Sequence, residues 1–112
     1  IDYIARNAPF DNPELSYGDF TDDIDAVLRA LVETETVIEI NTRRLGDARG
    51  IKELAPVYRR YRELGGRYVT IGSDAHVPAG VGRHYDRARE LAHAFDLQIV
   101  AFRERKMRVC ED

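Results

Sequence analysis

Cysteine is almost absent from this sequence. Cys110 stands alone, so no intramolecular disulfide can form, and nothing in the cysteine usage points to secretion. Two residues from the C-terminus, it is also a poor place for a positioned nucleophile. No apolar run approaches the roughly 18 residues of a membrane span, and no signal peptide is visible, so no membrane partner is expected and the expected compartment is the cytoplasm. A basic excess is lacking as well. Seventeen Lys and Arg stand against 20 Asp and Glu, a formal net charge of −3. A nucleic-acid binder usually shows a basic excess or a basic stripe, so no nucleic-acid partner is expected. The one basic run, Arg103-Glu104-Arg105-Lys106-Met107-Arg108, is short enough to read as solvated surface.

What is present is the composition of a soluble globular domain: 44% apolar and 33% charged over 112 residues, room for one domain with a modest core. The chain starts at Ile1 and its one methionine is Met107, from which we expect a portion of a longer protein.

The first twenty residues, with Pro9, Pro13 and Gly18, read as an ordered loop. A helix follows from Thr21, expected as its N-cap, with Asp22 and Asp23 favoured at the positive end of the dipole. Ile24, Val27, Leu28, Leu31 and Val32 form its single apolar stripe. Thr36 to Ile40 is short and β-branched and reads as a strand ending at Asn41. From Thr42 to Leu54 the sequence predicts loop with at most one helical turn, and Pro56 suits the first turn of a second helix that Gly65-Gly66 ends. A second strand, Tyr68 to Ile71, runs straight into Gly72-Ser73-Asp74-Ala75-His76. A third helix carries Tyr85, Ala88, Leu91, Ala92 and Phe95 on one stripe; a strand from Leu97 to Phe102 and a short extended piece at Met107 to Val109 complete the chain. Helix and strand alternate, which argues for an α/β fold with a parallel sheet.

In such folds sites are built at the carboxyl ends of strands. Two post-strand segments are chemically loaded: Glu39-Ile40-Asn41-Thr42-Arg43-Arg44 and Gly72-Ser73-Asp74-Ala75-His76. Asp74 and His76 are two apart on an irregular turn, so a carboxylate oxygen and an imidazole nitrogen can converge on one divalent ion such as zinc, manganese or iron. The plainer reading makes Ser73 or Asp74 a helix N-cap and His76 a surface loop residue. Glu39 faces either a barrel interior or the solvent side of an edge strand. Asn41 and Thr42 are also ordinary turn residues. Arg43 and Arg44 offer bidentate forks to phosphate, but exposed loop arginines are common; the same holds for Arg6. His84 and His93 read as solvent-facing helix residues.

These landmarks together resemble the polymerase-and-histidinol-phosphatase (PHP) superfamily, in its histidinol-phosphatase-like branch. They run from Ile1-Asp2-Tyr3-Ile4-Ala5-Arg6 through Ile38-Glu39-Ile40-Asn41-Thr42 and Tyr61-Arg62-Glu63-Leu64-Gly65-Gly66 to Val69-Thr70-Ile71-Gly72-Ser73-Asp74-Ala75-His76 and Val81-Gly82. The resemblance implies the C-terminal part of a distorted (β/α)7 barrel, a single domain of which residues 1–112 are one segment. It implies two or three divalent metals at the strand ends, with Asp74 and His76 among their ligands. It also implies phosphate contacts at Arg6 and, where Arg43-Arg44-Leu45-Gly46 departs from the usual spacing, at Arg43 or Arg44. The activity implied is metal-assisted hydrolysis of a small phosphate monoester, L-histidinol phosphate in histidine biosynthesis.

The family's opening His-x-His motif, its middle glutamate and its further histidines are not in these residues. Each metal wants about four to six donors, and two good ones are offered. The 112-residue chain alone is therefore expected to be inactive. The alternative expectation is a non-catalytic structural or regulatory remnant acting through protein contacts. With an open sheet edge, the fragment could also associate with itself.

Overall fold

Three of the expected strands pair in parallel and in chain order. The structure is a computed structural model, and it describes Asn7, Pro9, Asp11 and residues 15–110. Arg6, with the rest of the first landmark, lies outside the described residues. Strands β1 (Ile38–Asn41), β2 (Tyr68–Gly72), β3 (Gln98–Arg103) and β4 (Lys106–Val109) form one sheet in the order β1-β2-β3-β4. The β1–β2 and β2–β3 pairs are parallel; the extended piece expected after Phe102 is β4, which turns back antiparallel on β3.

Helices α1 (Thr21–Glu33), α2 (Ala48–Glu63) and α3 (Tyr85–Ala94) supply the layer that covers the sheet. In register, Ile38 and Ile40 lie beside Val69 and Ile71 on one face, and Glu39 and Asn41 beside Thr70 and Gly72 on the other. Alternation across a strand sends these two sets to opposite sides. The first set joins Leu28, Val57, Tyr58, Tyr61, Ala88, Leu91, Ala92 and Ile99 in one core. Burying each such large side chain contributes roughly 1.5–3 kcal/mol, enough to decide which face the helices cover. Two α2 tyrosines also reach the sheet: Tyr58 Oη donates to the Glu39 carbonyl at 3.0 Å and Tyr61 Oη to the Tyr68 carbonyl at 3.0 Å. The second set, polar and ending at Asn41 and Gly72, lies on the side that the helices leave open.

Several local expectations are corrected. Thr21 is not an N-cap: it is the first helical residue, and its hydroxyl donates back to the Tyr17 carbonyl at 3.0 Å, because the tight turn Tyr17–Asp19 runs directly into α1. The stretch from Thr42 to Leu54 is not mainly loop. Asp47 caps α2, accepting the Arg49 amide at 2.9 Å, and the helix begins at Ala48. Pro56 therefore sits inside α2, where it removes one backbone hydrogen bond. The continuous stripe Ile51, Leu54, Val57, Tyr58 and Tyr61, packed on the sheet, outweighs that loss. The helix does stop before Gly65-Gly66: Glu63 is its last residue, and Gly65, just past the C-cap Leu64, has a φ of 108° that is open to glycine. Glu104 and Arg105 join β3 to β4 with φ of 52° and 64°, the two-residue turn in which both positions are left-handed.

Candidate metal centre

The loop after β2 owes its shape to Asp74. Its φ is 52°, a left-handed conformation that aspartate tolerates better than most residues, and it folds the next two residues back. As a result His76 Nδ1 lies 2.9 Å from the Asp74 carbonyl oxygen and 4.0 Å from its carboxylate Oδ1. A carbonyl oxygen can only accept, so the hydrogen bond places the proton of the neutral ring on Nδ1. Nε2 then keeps its lone pair, on a side chain that is 75% exposed. Metal-binding histidines are held in this way, the far ring nitrogen donating to a carbonyl or carboxylate while the near one ligates.

Parallel register brings the loop after β1 alongside. Asn41 is the partner of Gly72, so the residues two further on, Arg43 and Asp74, are neighbours. Asn41 Oδ1 accepts the Arg43 amide at 3.0 Å and fixes the tight turn Thr42–Arg44. From there Arg43 Nη1 reaches to 3.6 Å from Asp74 Oδ2. Arg44, the next residue, is half-buried, with its carbonyl and Cβ packed against Gly50 of α2. Glu39 lies on the open face and its carboxylate rests over Gly72: a Cβ there would stand 2.5 Å from Oε2, so a larger residue at 72 would push the Glu39 carboxylate aside. Glu39 is thus both exposed and turned towards the strand end that carries Asp74. Thr42 is buried, and its hydroxyl has no hydrogen-bond partner among the described residues.

Other side chains hold the two loops in place. Arg83 Nη2 donates to the Ser73 carbonyl at 3.2 Å, beneath the turn that carries Asp74. Arg87 Nη1 donates to the Leu45 carbonyl at 2.7 Å and ties α3 to the loop after β1. His84 is not the solvent-facing residue expected: at φ of 56° it is half-buried, with its ring against Gly46. Neither Arg83 nor Arg87 was singled out in the sequence, because an arginine that bonds a loop carbonyl carries no periodicity or spacing. His93 is exposed and lines a cavity of about 440 Å³ at the amino ends of β2 and β3. A second cavity, about 520 Å³, opens between the amino ends of β1 and β2 and the β3–β4 hairpin, where Phe102, Arg105 and Met107 line it. Asp74 and His76 line neither, so both cavities are remote from this chemistry.

The donor set suits a borderline divalent ion: a carboxylate with Oδ2 facing a cation, and an imidazole whose outer nitrogen, in the neutral ring, carries the lone pair. It does not complete a coordination shell. Among the described residues no three His, Cys, Asp or Glu side chains converge. Asp74 and His76 could fill two positions of such a shell and no more.

No family model matches the chain. Over 108 residues it is 45% identical to a protein of Clostridium acetobutylicum named probable histidinol-phosphatase, a match that spans 96% of this chain and 42% of that protein. A protein of Thermotoga maritima with the same name is 33% identical over 112 residues, spanning 96% of this chain and 44% of its own length. The fold is similar to the crystal structure of a histidinol phosphate phosphatase from Lactococcus lactis complexed with zinc, L-histidinol and phosphate. Its TM-score is 0.81 at 24% identity, and the match covers 96% of this chain and 41% of that one. The chain thus spans less than half the length of the relatives it matches.

Proposed function

We propose, from a chain that is histidinol-phosphatase-like over 96% of its length and folded as part of a PHP barrel, that the protein carrying it is a metal-dependent phosphoesterase. Its substrate is a small phosphate monoester, and L-histidinol phosphate is the one its relatives' names support. Residues 1–112 form the C-terminal segment of one barrel domain, and the preceding part supplies the other metal ligands. The observation that carries this reading is the 2.9 Å bond from His76 Nδ1 to the Asp74 carbonyl, which leaves Nε2 as the outward nitrogen on the turn that also carries the Asp74 carboxylate.

When bound, divalent metal supplies an acidified water and neutralises charge on the phosphoryl oxygens. Asp74 contributes carboxylate oxygens and His76 contributes Nε2. Arg43, held at its root by Asn41, places a guanidinium beside the metal site, where it can grip phosphate oxygens. Arg6 and Arg44 are the further proposed phosphate contacts. Arg83 holds the Ser73 carbonyl, so the turn need not reorganise when metal and substrate bind. Zinc is the ion present in the similar structure; manganese and iron suit the same donors, and two or three ions fill the complete site. No helix among the described residues is long and apolar enough to cross a membrane, and the proposed setting is cytoplasmic histidine biosynthesis.

The alternative of a non-catalytic remnant is not favoured by relatives named as phosphatases. The test is phosphate release from L-histidinol phosphate by the purified full-length protein, before and after metal removal with a chelator. Release that stops on chelation and returns with zinc or manganese is expected; no release from any small phosphomonoester under metal-replete conditions contradicts the proposal.

A further inference from the structure

Resting on the reading of Asp74 as a metal ligand, we infer that Arg43 is the resident counter-cation of Asp74, displaced by the incoming metal and thereby released to the substrate's phosphate. The geometry is that of a held place rather than a finished bond. Arg43 Nη1 stands 3.6 Å from Asp74 Oδ2. Charge-assisted hydrogen bonds between guanidinium and carboxylate close to about 2.7–2.9 Å, so this pair is held by charge and not by fit. The Arg43 side chain is 43% exposed and the Asp74 side chain 29% exposed, leaving the guanidinium room to swing.

The root of Arg43, by contrast, is fixed. Its amide is bonded to Asn41 Oδ1 at 3.0 Å, and Asn41 is registered against Gly72, two residues before Asp74. The side chain therefore pivots from a point that the sheet sets, within reach of Asp74 and of anything Asp74 binds. A divalent ion takes a carboxylate oxygen at about 2.0–2.2 Å. A guanidinium at the same oxygen would add a like charge beside it, so the two cations compete for Oδ2. A binding-competent state that is only partly populated weakens apparent affinity by that fraction. Arg43 thus lowers metal affinity in the unloaded protein, and loading turns a free guanidinium out where an anion can take it. By reciprocity, an anion that holds Arg43 strengthens metal binding.

The test measures Zn²⁺ affinity of the metal-stripped full-length protein by competition with a chromophoric chelator in phosphate-free buffer, for wild type, Arg43→Gln, Arg43→Lys and Asp74→Asn. Arg43→Gln should bind Zn²⁺ about 3- to 10-fold more tightly than wild type, while Arg43→Lys, which keeps the charge, stays near wild type. Adding inorganic phosphate should strengthen Zn²⁺ binding more in wild type than in Arg43→Gln. Unchanged or weaker Zn²⁺ binding in Arg43→Gln, with Asp74→Asn losing metal, overturns the displacement alone. Full retention of Zn²⁺ by Asp74→Asn overturns the ligand assignment and the displacement with it. The urea midpoint of each variant shows whether its fold is intact.

Discussion

His76 donates from Nδ1 to the carbonyl oxygen of Asp74 at 2.9 Å, a bond between two residues of one turn that leaves Nε2 as the outward nitrogen. The bond depends on the left-handed backbone of Asp74, which brings the ring back over its own loop.

His76→Ala in the full-length protein should lower metal affinity by about 10- to 100-fold, the range expected when a metal site loses a group that forms or orients it. The side chain is exposed, so stability should not change by more than about 0.5 kcal/mol. Chelator competition reads the first quantity and urea unfolding the second. Unaltered metal affinity would sink the assignment of His76.

Stability should fall with acid through one buried carboxylate. Asp25 of α1 accepts from Arg60 Nε at 3.1 Å, Arg60 Nη2 at 3.0 Å and Tyr17 Oη at 2.7 Å, joining α1, α2 and the turn before α1. The Arg60 guanidinium, and then the Tyr17 hydroxyl, hold the Asp25 carboxyl below its ordinary range. A folded pKa below the unfolded one, near about 4, adds stability that is present above that pH and lost as pH falls through the folded value. The same bond raises the Tyr17 phenol, whose contribution is lost only as pH rises past about 10. Asp25→Asn should therefore be less stable than wild type at neutral pH and converge towards it below about pH 4. Urea midpoints at pH 7 and pH 3 test this; a difference of the same size at both would contradict it.

The turn between β3 and β4 carries avoidable strain. Glu104 and Arg105 both adopt left-handed backbone, which costs roughly 1–2 kcal/mol for a residue with a Cβ. Arg105→Gly should recover about 1 kcal/mol, net of the greater freedom glycine has in the unfolded chain. A lowered thermal midpoint in Arg105→Gly would show that the arginine makes a compensating contact.

Much of this was legible in the sequence, where local pattern and tertiary packing agree. The run from Tyr68 to His76 reads as a strand followed by a chemically loaded turn, and β2 ends at Gly72 as that reading needs. Helix α2 starts earlier than its sequence suggests, because Pro56 is a strong local signal for a first turn. The packing of Ile51 and Leu54 against the sheet, a tertiary effect, overrides it. The pairing of Arg43 with Asp74 could not be read from residues 31 apart, since it follows from the parallel register of Asn41 with Gly72. Arg83 was invisible for a similar reason: its partner is a backbone carbonyl, which any sequence would offer.

The central claim is that the turn after β2 binds the catalytic metal. It is tested most directly by Asp74→Asn in the full-length protein, measuring bound metal by elemental analysis and kcat on L-histidinol phosphate in the same preparation. Bound metal and turnover should fall together, turnover by about 100-fold or more. Wild-type metal content with wild-type turnover would contradict the assignment.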